Sequence, residues 1–187
     1  MGFHHVAFAT RDTAATHRFY SEVMGFTLVK TNVSPTPGDH GGWSKHFFYD
    51  TTGATGGSTD NGMIAFWELH DSVIGAEFPV DINATAGLPG WVNHIAFDAP
   101  TMADLERHRD RWRSHGHVVV EIDHDFCVSI YITDPNNNMV EFCHTVRDFT
   151  EDERRRAAEI LEESAPAFDR HDPKITVHPP LTAPTPA

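Results

Sequence analysis

One short pattern occurs twice in this chain, in the same phase, and it limits the fold more than any other feature. His5-Val6-Ala7-Phe8 opens the sequence and His94-Ile95-Ala96-Phe97 stands near its middle. Each run leads into a segment with helical periodicity closed by a glycine. In the first copy Asp12 or Thr13 can cap a helix that carries Phe19, Tyr20, Val23 and Met24 on one face and stops at Gly25. In the second, Thr101 caps, Met102, Leu105 and Trp112 mark the apolar face, and Gly116 closes. The separation from histidine to glycine is 20 residues in one copy and 22 in the other. After each glycine the period shortens to that of strands: "FTLVKTNV", "KHFFYD" and "MIAFWELH" in the first half, "HVVVEID", "VSIYITD" and "MVEFCHT" in the second. Each half therefore reads β-α-β-β-β, and the duplication predicts an α+β fold of two modules, about residues 3–78 and 91–146.

The remainder is of a different kind. Thr150 and Glu153 form a capping box for a helix to about Ser164, and six prolines follow between Pro166 and Pro186. Residues 147–187 are thus expected to be a helix and an extended tail, either disordered or laid on a partner subunit. Two low-complexity loops, "SPTPGDHGG" and "TTGATGGSTDNG", lengthen the first half only.

Composition narrows the partners. Asp plus Glu is 27 against 14 for Lys plus Arg, a formal charge of −13, which argues against nucleic acid or an anionic membrane and for a small-molecule partner. No apolar run approaches the roughly 20 residues of a membrane span, and the first residues do not resemble a signal peptide, so the expectation is a cytoplasmic protein. The two cysteines, Cys127 and Cys143, form neither a CxxC pair nor a disulfide framework.

Strand alternation then sorts the polar residues. Val6 and Phe8 share one face, leaving His5 on the other, and Ile95 and Phe97 do the same for His94. His5, not His4, is therefore the counterpart of His94. On the last strand of the second half Glu141 lies opposite Val140 and Phe142; in "MIAFWELH" Glu68 lies opposite in parity to Ala65, Trp67 and Leu69. Each half offers one histidine and one glutamate among apolar neighbours. An unpartnered buried carboxylate is costly, and a divalent cation is an economical partner for all four residues. Imidazole and carboxylate donors suit Fe, Mn, Ni, Co or Zn, and two histidines with one carboxylate make the facial set of non-haem Fe(II) oxygenases.

This constellation resembles the vicinal oxygen chelate superfamily, which includes glyoxalase I, extradiol ring-cleaving dioxygenases and bleomycin-resistance proteins, over about residues 3–146. The resemblance implies two βαβββ modules in an incomplete eight-stranded barrel around a metal held by His5, Glu68, His94 and Glu141. The stretch "IDHDFCVSIYITDPNNNMVE" resembles the extradiol dioxygenase signature at His124, Ile130-Tyr131, Asp134-Pro135 and Glu141. Asn137 departs from it, standing where Gly or Pro is usual, but asparagine tolerates the left-handed turn.

Three functions follow from the resemblance. The first is an extradiol-type dioxygenase, with Fe(II) on His5, His94 and Glu141 and open positions for a catechol-like diol and O₂. His124 and Tyr131 would then be catalytic, and His46 or His70 would replace a catalytic histidine expected near Asn61 and Gly62. The second is a glyoxalase I-like lyase or isomerase acting on a dicarbonyl-type substrate, with Glu68 as fourth ligand and Ni, Zn, Mn or Co as possible metals. The third is a metal-free drug-binding protein. A homodimer is expected from the resemblance and the tail.

Overall fold

In a computed structural model of the chain, residues 3–36, 41–52, 62–168 and 172–181 are described here. The low-complexity loops of the first half fall largely outside them, as does Asn61. By internal contacts the chain divides into two compact units, Met1–Ile95 with Thr133–Val140, and Ala96–Ile132 with Glu141–Ala187. The architecture is α+β, with two open mixed sheets of four and five strands.

The first sheet contains β1 (His5–Ala9), β2 (Thr27–Pro35), β3 (Gly42–Asp50) and β4 (Met63–Asp71), in the order β1-β4-β3-β2. β1 runs parallel to β4, as a strand–helix crossover requires, and the other pairs are antiparallel. Between β1 and β2 lies α1 (Thr13–Arg18), which widens into a π-helical turn over Phe19–Val23. Of the two candidate caps, Asp12 takes the role, accepting from the Ala15 amide at 2.8 Å. The wider turn buries Phe19, Tyr20 and Val23 together. Tyr20 sits over Phe66 with ring centroids 4.6 Å apart, and its hydroxyl donates to Asp134 at 3.0 Å.

The second sheet runs β5-β8-β7-β6-β9, with β5 (His94–Asp98), β6 (Val119–Asp123), β7 (Cys127–Thr133) and β8 (Met139–Thr145). α3 (Met102–Ser114), capped by Thr101, covers its apolar face through Trp112 and His108, which lie against Phe142. A short helix, α2 (Ile82–Ala86), lies before β5 and carries no sequence signal strong enough to predict it.

Two expectations are refined. Asn137 adopts φ 62° in a turn where the amides of Asn136 and Asn138 donate to the Asp134 carboxylate at 2.8 and 2.9 Å. Part of the tail lies on its own chain: β9 (Lys174–His178) pairs antiparallel with β6 and makes a ninth strand among the described residues. Arg113 fastens it, donating to the Pro179 carbonyl at 2.9 Å. The helix before it, α4 (Glu151–Glu162), begins at the predicted Thr150–Glu153 capping box. Among the described residues no helix is long and apolar enough to cross a membrane.

Candidate metal-binding faces

Register determines where the four candidate ligands point. His5 pairs with Met63 and Ala9 with Trp67, so His5, Ala7 and Ala9 share a face with Met63, Ala65 and Trp67. β3 adds Ser44, His46 and Phe48 to that face through their partners Leu69, Trp67 and Ala65. Glu68 alternates to the other face, the one covered by α1. His5 and Glu68, expected to converge, are therefore separated by the thickness of the sheet.

Glu68 is fully engaged where it stands. One carboxylate oxygen accepts from Thr13 Oγ1 at 2.6 Å and Lys45 Nζ at 2.9 Å, and the other pairs with His70 Nε2 at 2.7 Å. Burial raises its pKa, but the hydrogen bonds from His70, Thr13 and Lys45 outweigh this and hold it down to about 2. His70 in turn stacks on Trp43 at 3.8 Å, and Lys45 lies over the same indole. This cluster ties β3 and β4 to the first turn of α1.

The His5 face is quite different. His5 shares a 2.8 Å Nδ1–Nδ1 hydrogen bond with His4 and stands edge-on to His46, with centroids 5.9 Å apart. His46 is stacked on Trp67 at 3.8 Å and packs on Phe48. Its Nε2 and the Oγ of Ser44 are buried without a hydrogen-bond partner among the described residues. Burial first, and then the proximity of His5, lowers the His46 pKa. Of the two histidines that could replace a catalytic one, His46 is on the His5 face and His70 is not.

In the second sheet histidine and glutamate fall on the same face. The Thr10 amide donates to Trp67 and the Ala99 amide to Cys143, each five residues beyond its module's histidine. Trp67 and Cys143 are therefore equivalent, and so are Ala65 and Glu141. Ala96 and Asp98 share the face of Glu141 and Cys143, and alternation along β5 gives His94 the same parity. Glu141 is 4% exposed. β7 adds Cys127, Ser129 and Tyr131 to that face. Tyr131 hydrogen-bonds to Glu141 and lies 3.1 Å from His124 Nε2, so the two residues predicted to be catalytic meet each other and a candidate ligand. Burial first, and then Glu141, raises the Tyr131 pKa, so its hydroxyl remains protonated at neutral pH. His94 Nδ1 lies 3.1 Å from the Trp91 carbonyl; donating there puts the imidazole lone pair on Nε2, the form that binds a metal.

Among the described residues no three His, Cys, Asp or Glu side chains stand together closely enough to hold an ion. The donor types on the two faces, imidazole from His5 and imidazole with carboxylate from His94 and Glu141, still fit a first-row divalent ion. The sequence carries the same alignment. Aligning Met63 with Met139 and Phe66 with Phe142 sets Ala65, not Glu68, against Glu141.

Similarity to known proteins agrees with this architecture. Residues 2–142 match the model of the Glyoxalase/Bleomycin resistance protein/Dioxygenase superfamily. Among solved structures, a glyoxylase/bleomycin resistance protein/dioxygenase domain from Frankia sp. EAN1pec is 19% identical with a TM-score of 0.53, covering 78% of this chain and 98% of that one. A glyoxalase/bleomycin resistance protein/dioxygenase from Alicyclobacillus acidocaldarius is 14% identical, TM-score 0.52, with coverages of 78% and 92%. The fosfomycin resistance protein FosX from Listeria monocytogenes is 18% identical, TM-score 0.50, with coverages of 82% and 98%. At these identities the likeness is one of fold. No curated protein sequence matches the chain. With three quarters of its length under one family model and its two histidine-headed βαβββ modules, the chain belongs to the glyoxalase/bleomycin resistance protein/dioxygenase superfamily.

Proposed function

We propose that the protein is a metal-dependent enzyme of the extradiol dioxygenase type, using His5, His94 and Glu141 as its protein ligands and Fe(II) as its metal. The observation that carries this reading is Ala65. It stands on the His5 face at the position where the second module has Glu141, so the first module contributes a histidine and no carboxylate. Glu68, the residue needed for a four-ligand glyoxalase-like set, is held on the opposite face by Thr13, Lys45 and His70. A three-ligand set leaves adjacent coordination positions for a diol and for O₂.

When bound, the metal supplies orientation and charge stabilisation for both reactants. The chain's own residues do the rest. Tyr131, protonated at neutral pH, donates a hydrogen bond to a substrate oxygen. His124, in contact with the Tyr131 hydroxyl, can take or return a proton through it. His4 orients His5 through their shared Nδ1–Nδ1 hydrogen bond; with His5 as the donor, its lone pair is on Nε2. Copies of the chain would associate as a homodimer in a cytoplasmic setting, with a small aromatic diol as partner.

The test is metal analysis of anaerobically purified protein together with O₂ uptake on a panel of catechols. Iron bound at one equivalent, with O₂ uptake and ring-cleavage absorbance, is the expected result. Nickel or zinc without O₂ uptake would favour a glyoxalase-type lyase instead. Failure to bind any divalent metal would leave a binding protein.

A further inference from the structure

Two polar atoms on the His5 face, His46 Nε2 and Ser44 Oγ, are buried and lack any hydrogen-bond partner among the described residues. Ser44 is fully buried. Leaving a buried polar atom unsatisfied costs about 1–3 kcal/mol, so two on one strand face, two residues apart, call for a missing partner. The ring of His46 is not a loosely held surface histidine. It is fixed between Trp67 at 3.8 Å and Phe48 at 4.1 Å, with His5 at 5.9 Å, so its Nε2 has a defined direction before anything binds.

We propose that Ser44 and His46 form a ligand-anchoring subsite that hydrogen-bonds the oxygen substituents of a hydroxylated aromatic molecule bound beside His5. The location rests on the reading of His5 as part of the functional site. The ligand class follows from the neighbours. A hydroxyl and an imidazole can each donate or accept, which suits phenolic oxygens in either role. Trp67 and Phe48 give the same face an aromatic wall. Lys45, the basic residue between Ser44 and His46, turns to the opposite face and pairs with Glu68, so it supplies no charge for an anionic head group here. A site built to hydrogen-bond substrate oxygens also discriminates strongly against analogues lacking them.

The test uses the full chain, metal-free and zinc-loaded, titrated with 4-nitrocatechol and with nitrobenzene as the analogue lacking both hydroxyls. His46→Phe and Ser44→Ala should each weaken 4-nitrocatechol binding about tenfold, the equivalent of one hydrogen bond, while His46→Gln stays within about threefold of the original. Zinc affinity should change by less than about threefold in all three variants, and thermal melts should show each to be folded. If 4-nitrocatechol binds equally well to the original chain and to His46→Phe and Ser44→Ala, or if the original chain binds it no better than nitrobenzene, the subsite is disproved. If 4-nitrocatechol binds no more tightly to the zinc-loaded chain than to the metal-free one while these variants still weaken it, the subsite stands and the metal-dependent reading fails, so the two are separable.

Discussion

The last strand of each module is the place where the two halves of this protein part company. β4 and β8 have the same register against β1 and β5, the same Met and Phe at matching positions and the same helix-facing aromatic, Phe66 or Phe142. Yet β8 carries Glu141 on the histidine face, whereas β4 carries Ala65 there and sends Glu68 to the helix side. The duplication is one of backbone and core, not of polar chemistry. The second module keeps the carboxylate, while the first has a carboxylate that staples its helix and sheet.

The largest effect should come from testing that division of labour directly. His94→Ala and Glu141→Gln are expected to lower zinc affinity by about 100-fold or more, since loss of even an outer partner costs about 10–100-fold, whereas Glu68→Gln should stay within about threefold. Competition with a chromophoric chelator measures all three. Loss of metal binding in Glu68→Gln would break the comparison. The equivalence of Ala65 and Glu141 can also be sharpened by restoring the symmetry. Ala65→Glu should tighten zinc binding about tenfold and, by filling an open position, weaken 4-nitrocatechol binding; unchanged zinc affinity in a folded variant would undo the alignment.

Smaller effects concern stability. Glu68→Gln removes the negative charge facing Lys45 and turns one of the two accepting oxygens into an amide donor, and should cost about 1–3 kcal/mol in urea unfolding near pH 7. Because the folded carboxylate titrates near 2 against an ordinary 4.5, its contribution is complete above pH 4.5 and lost as pH falls toward 2. A parent protein whose acid unfolding curve in that window matches the variant's would show that the cluster is not stabilising.

The second module should respond to acid earlier. Where Tyr20 covers Phe66 in the first module, His108 covers Phe142 in the second, with centroids 3.7 Å apart. Burial, then Arg111 and Arg107, lowers the His108 pKa to about 4 from an ordinary 6.5. The unfolded chain therefore takes up this proton first, and stability declines as pH falls from 6.5 toward 4. His108→Phe should flatten that part of the stability profile by about 1 kcal/mol or less after packing losses, read from urea midpoints at pH 7 and pH 5. An unchanged slope would mean that the histidine is not neutral in the core.

Much of this was legible in the sequence because the signals were local. Histidine-headed strands, the Thr101 and Thr150 caps, the glycine at each helix end and the left-handed Asn137 all depend on a few neighbouring residues. His124 and Tyr131 stand out through the resemblance to the extradiol signature, and they meet. Pairing Glu68 with His5 rests on residue type across the repeat, whereas position across the repeat sets Ala65 against Glu141. The tail illustrates the same limit: its prolines point to disorder or to an extended arm on a partner subunit, and the pairing of 174–178 with β6 is a property of the sheet edge they meet.

What the sequence determined by itself is the order of elements, their periods, and the identity of the residues able to bind a metal or move a proton. Which face each of them occupies was decided by tertiary structure. Parity within one strand is local, but relating two strands requires their register, and a shift of one residue turns every side chain to the other side. That single degree of freedom puts Glu68 with Lys45 and His70, leaves Ala65 beside His5, and brings His46 and Ser44 onto the face where a ligand would bind.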